Sequence, residues 1–457
     1  MKKIRNRTFL LSFIAILLLG IVSCVDKKEE IDLGDNPYSP NKPIVLSGIG
    51  PQTGGLGTRV VVSGSNFGND KSRVKLFFNN KEALILSMRS NAIYAMVPKQ
   101  PGDLSTIKVV VNEGKNPDGS DKLKEAELKD TQFKYNIKAT VTTVAGILNV
   151  SASQDGTALE GTFTRPAMLA VDNTGSILVV DDWGHRIRQV SIQDNKLSTV
   201  LSNLDSPWQC SFNTDYSNYF VVERSSGSKP LLFYGLSRSS NWQDAEKYYD
   251  QKDDNGNYIA GNMNYYGLTA DDKYVYMLSQ SGSRLIRVDQ DTRQVELIGQ
   301  NLNMDAWAHI AYNKKNGYIY VTSEAWGRIY RFDPHHTPAG KDKPWITQSD
   351  VQHVAGLGKG SAKEGNGKSA QFGEIEGIAA DQEGNVYFVD YTNHVIWKLD
   401  EEFNATILAG VPGVKGYKDG KPKEALFNSP YGITATPDGI VYVADTYNYV
   451  VRCIAIQ

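Results

Sequence analysis

Aromatic side chains recur at two kinds of position along this chain, where short β-rich runs begin and where they turn. Loops that lead into the first run of a repeated unit contain Trp208, Tyr266, Trp307, His309 and Tyr431, together with Glu374 and Glu376. Turns between the second and third runs contain Trp183, Trp326, Tyr391 and Tyr447, together with His185 and His394. Flat rings beside polar groups suit sugars, whose C–H faces are apolar and whose hydroxyl groups need hydrogen-bond partners. We therefore predict that the nine residues Trp183, Trp208, Tyr266, Trp307, His309, Trp326, Tyr391, Tyr431 and Tyr447 contact a ligand; the alternative is that the rings pack the loops or cap a channel.

Acidic side chains recur at one further position, occupied by Asp181, Asp390 and Asp445, with Glu223 near it in another copy. A ring of carboxylates could hold Ca²⁺ close to the axis of the molecule. A carboxylate that recurs in every unit more often accepts backbone N–H bonds in a turn. We predict a structural role for these acids, with Ca²⁺ as the alternative and no other cofactor.

Other chemical motifs are missing from the sequence. His335 and His336 are adjacent and have no third ligand in view, so we predict no metal site there. The sequence contains no Gly-x-Ser-x-Gly elbow, no Ser/His/Asp set and no phosphate-binding loop. No catalytic residue is therefore predicted.

The elements that position these side chains are most distinct in the last repeated unit. Its three β-rich runs are Tyr431–Ala435, Ile440–Ala444 and Tyr449–Ile454, and a Pro-Asp-Gly turn separates the first two. Similar triplets begin near residues 163, 206, 266, 309 and 372. A supersecondary unit repeated at roughly 40–60 residues is typical of a β-propeller.

A fourth run precedes several of these triplets. Val351–Gly356 precedes the fifth copy and Thr406–Gly410 precedes the sixth, so each belongs to the blade before it. Thr142–Gly146 precedes the first copy and has no earlier blade to complete. We predict that it pairs with the C-terminal strand and closes the ring, which leaves no open sheet edge.

The repeated pieces Ala-Gly…Phe-x-x-Pro-x-Gly-Ile-Ala and Val-Asp-x-x-Asn-His resemble NHL repeats, clearly in copies one, five and six and loosely in the others. The resemblance implies a six-bladed NHL-type propeller over residues 139–457. Some propellers of this type are lyases or hydrolases with a metal ion on the axis.

Residues 43–138 form a separate unit of alternating strands with glycine turns. Its Gly64–Gly68 and Ala95–Pro98 pieces resemble an IPT/TIG immunoglobulin-like domain, which implies a small β-sandwich. The polar stretch Gly114–Lys129 is predicted to be a hairpin. Tyr135–Ala139 leaves almost no linker, so we expect a rigid junction with the propeller.

The N-terminus has the features of an export signal. A basic start is followed by the apolar run Phe9–Val22, which is short for a membrane span. Ile21–Cys24 resembles a bacterial lipobox, which implies that residues 1–23 are a signal peptide and that Cys24 is lipidated; a plain signal anchor is the alternative. Residues 24–42 are predicted to be a flexible tether. Acidic residues after Cys24 resemble the surface-export signal of Bacteroidota lipoproteins, which implies a lipid anchor in the outer membrane, facing the exterior.

Charge and cysteine content narrow the choice of partners. The chain has 49 basic and 51 acidic residues, so it lacks the basic excess of a nucleic-acid-binding protein. We therefore predict that nucleic acid is not a partner. Membrane contact is predicted through the lipid only. Cys210 and Cys453 fall in different repeats, and we predict no disulfide between them.

Two classes of function fit these features. The first is a non-catalytic surface lipoprotein that binds a glycan or a partner protein. Its resemblance to IPT/TIG-plus-NHL lipoproteins of gut Bacteroidota implies a place in polysaccharide capture and uptake. The second is a hydrolase or lyase with an axial metal. A buried axial cation with three or more protein ligands would favour the enzyme, and a wet, aromatic, metal-free face would favour binding.

Overall fold

The computed structural model describes residues 36–455, except residues 56, 99, 101–103, 130, 136–138, 225–230, 262 and 438. The predicted signal peptide, Cys24 and most of the predicted tether lie outside these residues. No helix in the described ranges is long and apolar enough to cross a bilayer. The short helical turns found are 3-10 turns, at Lys71–Arg73, Arg238–Ser240, Gln348–Asp350, Gly367–Ser369, Pro422–Glu424 and Thr446–Asn448.

The first unit consists of two sheets that pack face to face. Its strands are β1 (Val45–Gly50), β2 (Thr53–Gly54), β3 (Arg59–Ser65), β4 (Val74–Phe78), β5 (Lys81–Arg89), β6 (Ala92–Met96), β7 (Leu104–Ser105), β8 (Ile107–Lys115), β9 (Asp121–Glu127) and β10 (Phe133–Tyr135). One sheet has the order β1-β3-β6-β5-β4-β8-β9 and the other β2-β10-β7. Phe78 and Phe133 join them edge to face, with ring centroids 5.3 Å apart. The predicted hairpin is formed by β8 and β9.

The second unit is a ring of antiparallel sheets, which we number as blades in chain order. Blade 1 is β12 (Gly156–Thr157), β13 (Pro166–Val171), β14 (Ser176–Asp181), β15 (Arg186–Ser191) and β16 (Lys196–Ser202). Blade 2 is β17 (Pro207–Phe212), β18 (Asn218–Glu223), β19 (Leu231–Ser237) and β20 (Ala245–Tyr249). Blade 3 is β21 (Tyr265–Ala270), β22 (Tyr274–Ser279), β23 (Arg284–Asp289) and β24 (Val295–Gln300).

The remaining strands complete the ring. Blade 4 is β25 (Ile310–Tyr312), β26 (Ile319–Ser323), β27 (Arg328–Phe332) and β28 (Gln352–Ala355). Blade 5 is β29 (Gly365–Asn366), β30 (Ile375–Ala380), β31 (Val386–Asp390), β32 (Val395–Leu399) and β33 (Asn404–Ala409). Blade 6 is β34 (Ile433–Ala435), β35 (Val441–Asp445) and β36 (Val450–Ala455), with β11 (Thr140–Ala145) as its outer strand.

The innermost strand of each blade lies against the innermost strand of the next, and β34 of blade 6 lies against β13 of blade 1. The outer strand β11 pairs antiparallel with β36, from Thr140 opposite Ala455 to Ala145 opposite Val451. The first strand after the sandwich thus completes the last sheet, as predicted. The prediction of an all-β chain, with an immunoglobulin-like sandwich followed by a propeller, is confirmed.

The recurring acids stabilise the blades. Asp181, Asp390 and Asp445 end the second strands of their blades and are buried. Each accepts backbone N–H bonds from the loop before the first strand, for example from Gly373 at 2.9 Å and from Asn428 at 2.8 Å. The structural role predicted for these acids agrees with these bonds.

A side-chain donor stands seven residues after each of these acids. Arg188 Nη1 lies 3.8 Å from Asp181, Trp397 Nε1 donates to Asp390 at 3.3 Å, and Arg452 Nη1 donates to Asp445 at 2.7 Å. These contacts tie the second strand to the third inside one blade.

The sandwich contacts the face of the propeller made by turns between first and second strands and between third and fourth strands. Arg59 Nη2 donates to the carbonyl of Ile192 at 3.3 Å, and Gln193 Nε2 donates to the carbonyl of Leu86 at 2.9 Å. Because strands alternate in direction, the loops that carry the predicted ligand residues lie on the opposite face. Cys210 and Cys453 are free thiols in blades 2 and 6.

Candidate functional site

One residue near the start of each first strand forms the floor of the propeller mouth. Four of them, Trp208, Tyr266, Glu376 and Tyr431, stand five residues before the polar residue that directly follows the first strand. The fifth, His309, stands four residues before the equivalent Asn313. We call these five residues the floor. Ala167 has the same place in blade 1, and its small side chain lets Trp208 and Tyr431 meet with ring centroids 5.4 Å apart.

The floor belongs to a continuous chain of aromatic contacts. Trp208 also contacts His309 at 6.0 Å and Tyr266 at 6.2 Å between ring centroids. Tyr266 continues to Trp307 at 4.7 Å. Tyr431 continues to Tyr391 at 5.3 Å, and Tyr391 to Tyr447 at 6.4 Å. Seven of the nine predicted ligand residues are thereby brought together on one face.

The rings differ strongly in their access to solvent. Trp208, Tyr266 and His309 are buried, and Tyr391 and Tyr431 are half-buried. Trp183, Trp307 and Tyr447 are 53%, 41% and 37% exposed, respectively, and we call these three the rim rings. A ligand approaching from solvent meets the rim rings first, and one of them, Trp307, packs directly on the floor residue Tyr266.

The other two predicted residues lie apart from this chain of rings. Trp183 packs under the guanidinium of Arg165, 4.4 Å from its ring centroid. Trp326 packs on Tyr330 with centroids 6.5 Å apart and borders an open groove of about 560 Å³ that Arg328 and Lys359 also line. Trp183 is connected to the floor through charged groups, whereas Trp326 belongs to a neighbouring groove.

His309 is held as a neutral imidazole. Its Nε2 accepts a hydrogen bond from Trp208 Nε1 at 3.1 Å, so the ring proton resides on Nδ1. Burial, and then the positive charge of Arg224, lower the pKa of His309 to about 3. Nδ1 lies 3.6 Å from Glu376 Oε2 and makes no closer hydrogen bond among the described residues.

Acidic side chains gather on the blade 4 and blade 5 side of the mouth. Burial, and then the negative charge of Glu324, raise the pKa of Glu376 well above its ordinary value, although a hydrogen bond with Tyr431 opposes this. Burial and the charge of Glu374 likewise raise the pKa of Glu324. Lys359 pairs with Glu374 at the exposed edge. Two of the three glutamates therefore bind protons more readily than ordinary carboxylates do.

Two guanidinium groups occupy the opposite side. Arg165 binds Asp182 with two N–H groups, Nε at 2.7 Å from Oδ1 and Nη2 on Oδ2. Arg224 lies over the Trp208 ring, 3.7 Å from its centroid, and reaches Asp182 Oδ2 at 3.3 Å. The mouth thus has an aromatic floor between a cationic side and an acidic side.

Within the described ranges, no three His, Cys, Asp or Glu side chains are placed together as ligands for a metal ion. Asp181, Asp390 and Asp445 are each occupied within their own blade by the bonds given above.

Part of the chain matches a known domain family. Residues 44–124 match the IPT/TIG domain. This match covers most of the β-sandwich, from β1 into β9, and confirms the resemblance seen in its sequence. The match does not extend into the propeller.

The whole described fold has solved counterparts. A structural genomics protein of unknown function from Bacteroides thetaiotaomicron superposes with a TM-score of 0.63 at 23% identity, covering 92% of this chain and 100% of its own. An auxiliary nutrient binding protein from the same species gives a TM-score of 0.58 at 23% identity, with 92% and 99% coverage. At these identities the likeness shows a shared fold.

A curated relative matches over a shorter span. The chain is 26% identical over 308 residues, 66% of its length, to Protein SUPPRESSOR OF QUENCHING 1, chloroplastic, from Arabidopsis thaliana. The chain spans only about a quarter of the length of that relative, 26%.

Sequence reasoning missed the charged groups of the mouth. Asp182, Arg224 and Glu324 each follow the residue that ends a second strand, as the predicted Tyr391 does. Reading that one position in every copy would have found all of them. Arg165 occupies a variable place in the Phe-x-x-Pro loop, and only its contact with Asp182 reveals its role.

Proposed function

We propose that this chain is a non-catalytic surface lipoprotein whose propeller mouth binds a glycan during polysaccharide capture and uptake. The observation that carries the proposal is the set of rim rings, Trp183, Trp307 and Tyr447, exposed around an aromatic floor that has charged groups on either side. Large exposed rings promote unwanted association unless they have a partner. A sugar ring stacked on them buries apolar area on both partners and leaves its hydroxyl groups to the polar side chains.

The arrangement of the two units supports the same proposal. The sandwich contacts the face opposite the mouth, through Arg59 and Gln193. A chain anchored through its N-terminus would then present the mouth away from the membrane. The similar fold named an auxiliary nutrient binding protein in Bacteroides thetaiotaomicron supports a role in nutrient binding.

We further propose that the blades are NHL-type repeats and that the predicted segments are those of a surface lipoprotein. In this proposal residues 1–23 are removed, Cys24 is lipidated in the outer membrane, and residues 24–42 tether a domain of residues 43–138 and a propeller of residues 139–457. A surface protein is the alternative class of partner for the rim rings, and the binding screen below includes both.

The rim rings should contribute to affinity in a graded manner. The full chain in detergent is first screened on a glycan array and against surface proteins, and the bound ligand is then titrated by calorimetry. Trp183→Ala, Trp307→Ala and Tyr447→Ala should each weaken binding about ten- to a hundredfold, since one lost stacking ring costs about 1–3 kcal/mol.

Tyr249→Ala is the matched control, because Tyr249 is an exposed ring on the outer strand of blade 2. Wild-type affinity in all three rim variants would contradict the proposed binding face. Metal-dependent turnover of the bound glycan, abolished by chelator, would instead favour the hydrolase or lyase.

Lipidation of Cys24 should determine where the protein is found. In cells that express Cys24→Ala, the protein should move from the membrane fraction to the soluble fraction, because a single thiol carries the predicted acyl anchor. Cys210→Ala should stay with the membranes, since that thiol is buried in blade 2. Sedimentation of the Cys24→Ala protein with membranes would place the anchor elsewhere.

A further inference from the structure

We propose that the glycan bound at the mouth is acidic, and that Arg224 receives its carboxylate or sulfate group. This inference rests on the proposed glycan-binding function and specifies the class of glycan. It is carried by the position of the Arg224 side chain and by the way its charge is shared.

The Arg224 guanidinium is held in place by aromatic rings, but not all of its N–H groups have hydrogen-bond partners among the described residues. Its flat face covers Trp208 at 3.7 Å from the ring centroid and approaches Tyr266 at 5.7 Å. Its Nε is buried and has no hydrogen-bond partner among the described residues. Stacking occupies the face of a guanidinium and leaves its N–H edge for hydrogen bonds, of which Asp182 and the Tyr266 hydroxyl take up a part. Such an edge matches two oxygens of one anion.

The nearby carboxylate does not satisfy Arg224. Asp182 is buried, and its two oxygens already receive Nε and Nη2 of Arg165 and the backbone N–H of Trp183. The contact from Arg224 to Oδ2, at 3.3 Å, is the longest of these bonds. Two guanidinium groups thus share one carboxylate, and among the described residues one positive charge on this side of the mouth has no counter-ion of its own.

The glutamates across the mouth do not supply the missing negative charge. Glu376 is buried between His309 and Tyr431, and burial raises the pKa of both Glu376 and Glu324. Such carboxyl groups can lose their charge by binding a proton, whereas a guanidinium keeps its charge at every physiological pH. A ligand that completes this site therefore has to bring an anionic group to Arg224.

The spacing of the aromatic residues fits a sugar that carries such a group. Trp307 is an exposed ring, it contacts Tyr266 at 4.7 Å, and Tyr266 contacts the Arg224 guanidinium. A pyranose stacked on Trp307 would have Arg224 one aromatic ring away, within reach of an acidic substituent on the same or the next sugar. Uronic acids, sialic acids and sulfated sugars share this chemistry.

The test is a glycan array with four arms: neutral, uronate, sialate and sulfated glycans. The full chain in detergent is applied as wild type, Arg224→Gln, Arg224→Lys and Arg238→Gln. Arg238 is a matched control, because its guanidinium also lies over a tryptophan, Trp242 at 5.4 Å, and also pairs with an aspartate, Asp172 at 2.8 Å, but away from the floor. Thermal melts verify that each variant is folded.

We expect wild type and Arg238→Gln to bind acidic glycans, and Arg224→Gln to bind them about ten- to a hundredfold more weakly. The affinity of Arg224→Lys for acidic glycans should lie between those of wild type and Arg224→Gln, because lysine keeps the positive charge but lacks the paired N–H groups of the guanidinium. The lysine variant also provides the test if Arg224→Gln is unstable. The class of acidic glycan that the wild-type protein binds shows whether the recognised group is a carboxylate or a sulfate. Raising the salt concentration should weaken wild-type binding more than that of Arg224→Gln.

Other outcomes overturn the inference in distinguishable ways. Binding confined to neutral glycans, with loss in the Trp307→Ala variant, would refute the acidic ligand and leave the proposed function standing. Equal binding of acidic glycans by Arg224→Gln, Arg238→Gln and wild type would refute the role of Arg224. If wild type binds no arm of the array, the proposed glycan-binding function fails, and this inference fails with it.

Discussion

Deleting residues 140–147 should lower the free energy of unfolding by about 5 kcal/mol or more, a large part of the roughly 5–15 kcal/mol that stabilises a typical domain. The deletion removes β11, which pairs with β36 and also exchanges backbone hydrogen bonds between Val141 and Gly420, at 2.7 and 2.9 Å. Each lost hydrogen bond between the strands lowers the free energy of unfolding by about 1 kcal/mol. Loss of the buried side chains of Val141 and Ala145 lowers it by roughly 2 kcal/mol more. Urea unfolding of wild type and the deletion measures the difference.

A point substitution in β11 tests the loss of strand pairing without shortening the chain. The N–H groups of Val141 and Thr143 donate to Gly420 and Asp419 on the outer side of β11, so the N–H of Thr142 faces β36. Thr142→Pro should therefore be strongly destabilising. Thr142→Ala keeps the backbone donor and changes only an exposed side chain, so it should be near wild type. Equal stability of the proline and alanine variants would contradict closure by β11.

Arg452→Met should destabilise the propeller by about 3–5 kcal/mol, the usual cost of breaking a buried ion pair from one side. Arg452 and Asp445 are both fully buried, with Nη1 and Oδ2 2.7 Å apart. Arg452 also donates to Asp419 at 2.6 Å and to the carbonyls of Leu426 and Lys418 at 3.1 and 2.9 Å. The methionine fills similar space but leaves the Asp445 carboxylate buried without its cation.

The double variant Arg452→Met/Asp445→Asn is the control, because it removes the orphaned charge. It should be more stable than Arg452→Met alone, and additive losses would show that the pair does not act as a unit.

The same pair predicts a pH dependence of stability. Burial raises the pKa of Asp445 to about 6 from an ordinary 3.8, although Arg452 and the hydrogen bonds of Asn428 and Asn448 oppose the rise. The folded state therefore binds the proton more tightly than the unfolded state does. The stability that Asp445 contributes is fully present below about pH 4 and is lost as the pH rises through about 6. Urea unfolding at pH 4.5 and 7.5 should show this loss in wild type and a smaller one in Asp445→Asn.

The sequence was sufficient to predict the ring of blades, because each blade repeats the same series of short β-rich runs between glycine and proline turns. The closing strand followed from one unpaired run, Thr142–Gly146. Loops that are equivalent in every blade must lie on one face, so the meeting of Trp208, Tyr266, Tyr391 and Tyr431 was also predictable.

The division of the rings into floor and rim was not predictable from residue type. His309 stands next to strand β25 and is buried, whereas Trp307, two residues earlier, lies above the channel and is exposed. The distance of a residue from the start of its strand decides its depth, and strand starts are the least certain part of a sequence-based prediction.

The contacts between the charged groups of the mouth were equally difficult to predict from the sequence. Arg165, Asp182 and Arg224 come from three loops in two blades and meet only in the folded ring. Asp182 and Arg224 share one repeat position, but their pairing with each other and with Arg165 depends on how blades 1 and 2 pack together. The same holds for Glu376, whose altered acidity comes from burial and from Glu324 in another blade.

The pairing of β11 with β36 also determines the order in which this protein can be completed. β11 leaves the ribosome before the strands of blade 1, and β36 follows all the other strands of the propeller. Blades 1 to 5 have all their strands before β36 is made, but β11 has no partner strand until β36 emerges. Contacts between such distant parts of a chain form slowly. The nascent propeller therefore stays an open arc until β36 has been made, and a chain cut short before β36 keeps that arc open.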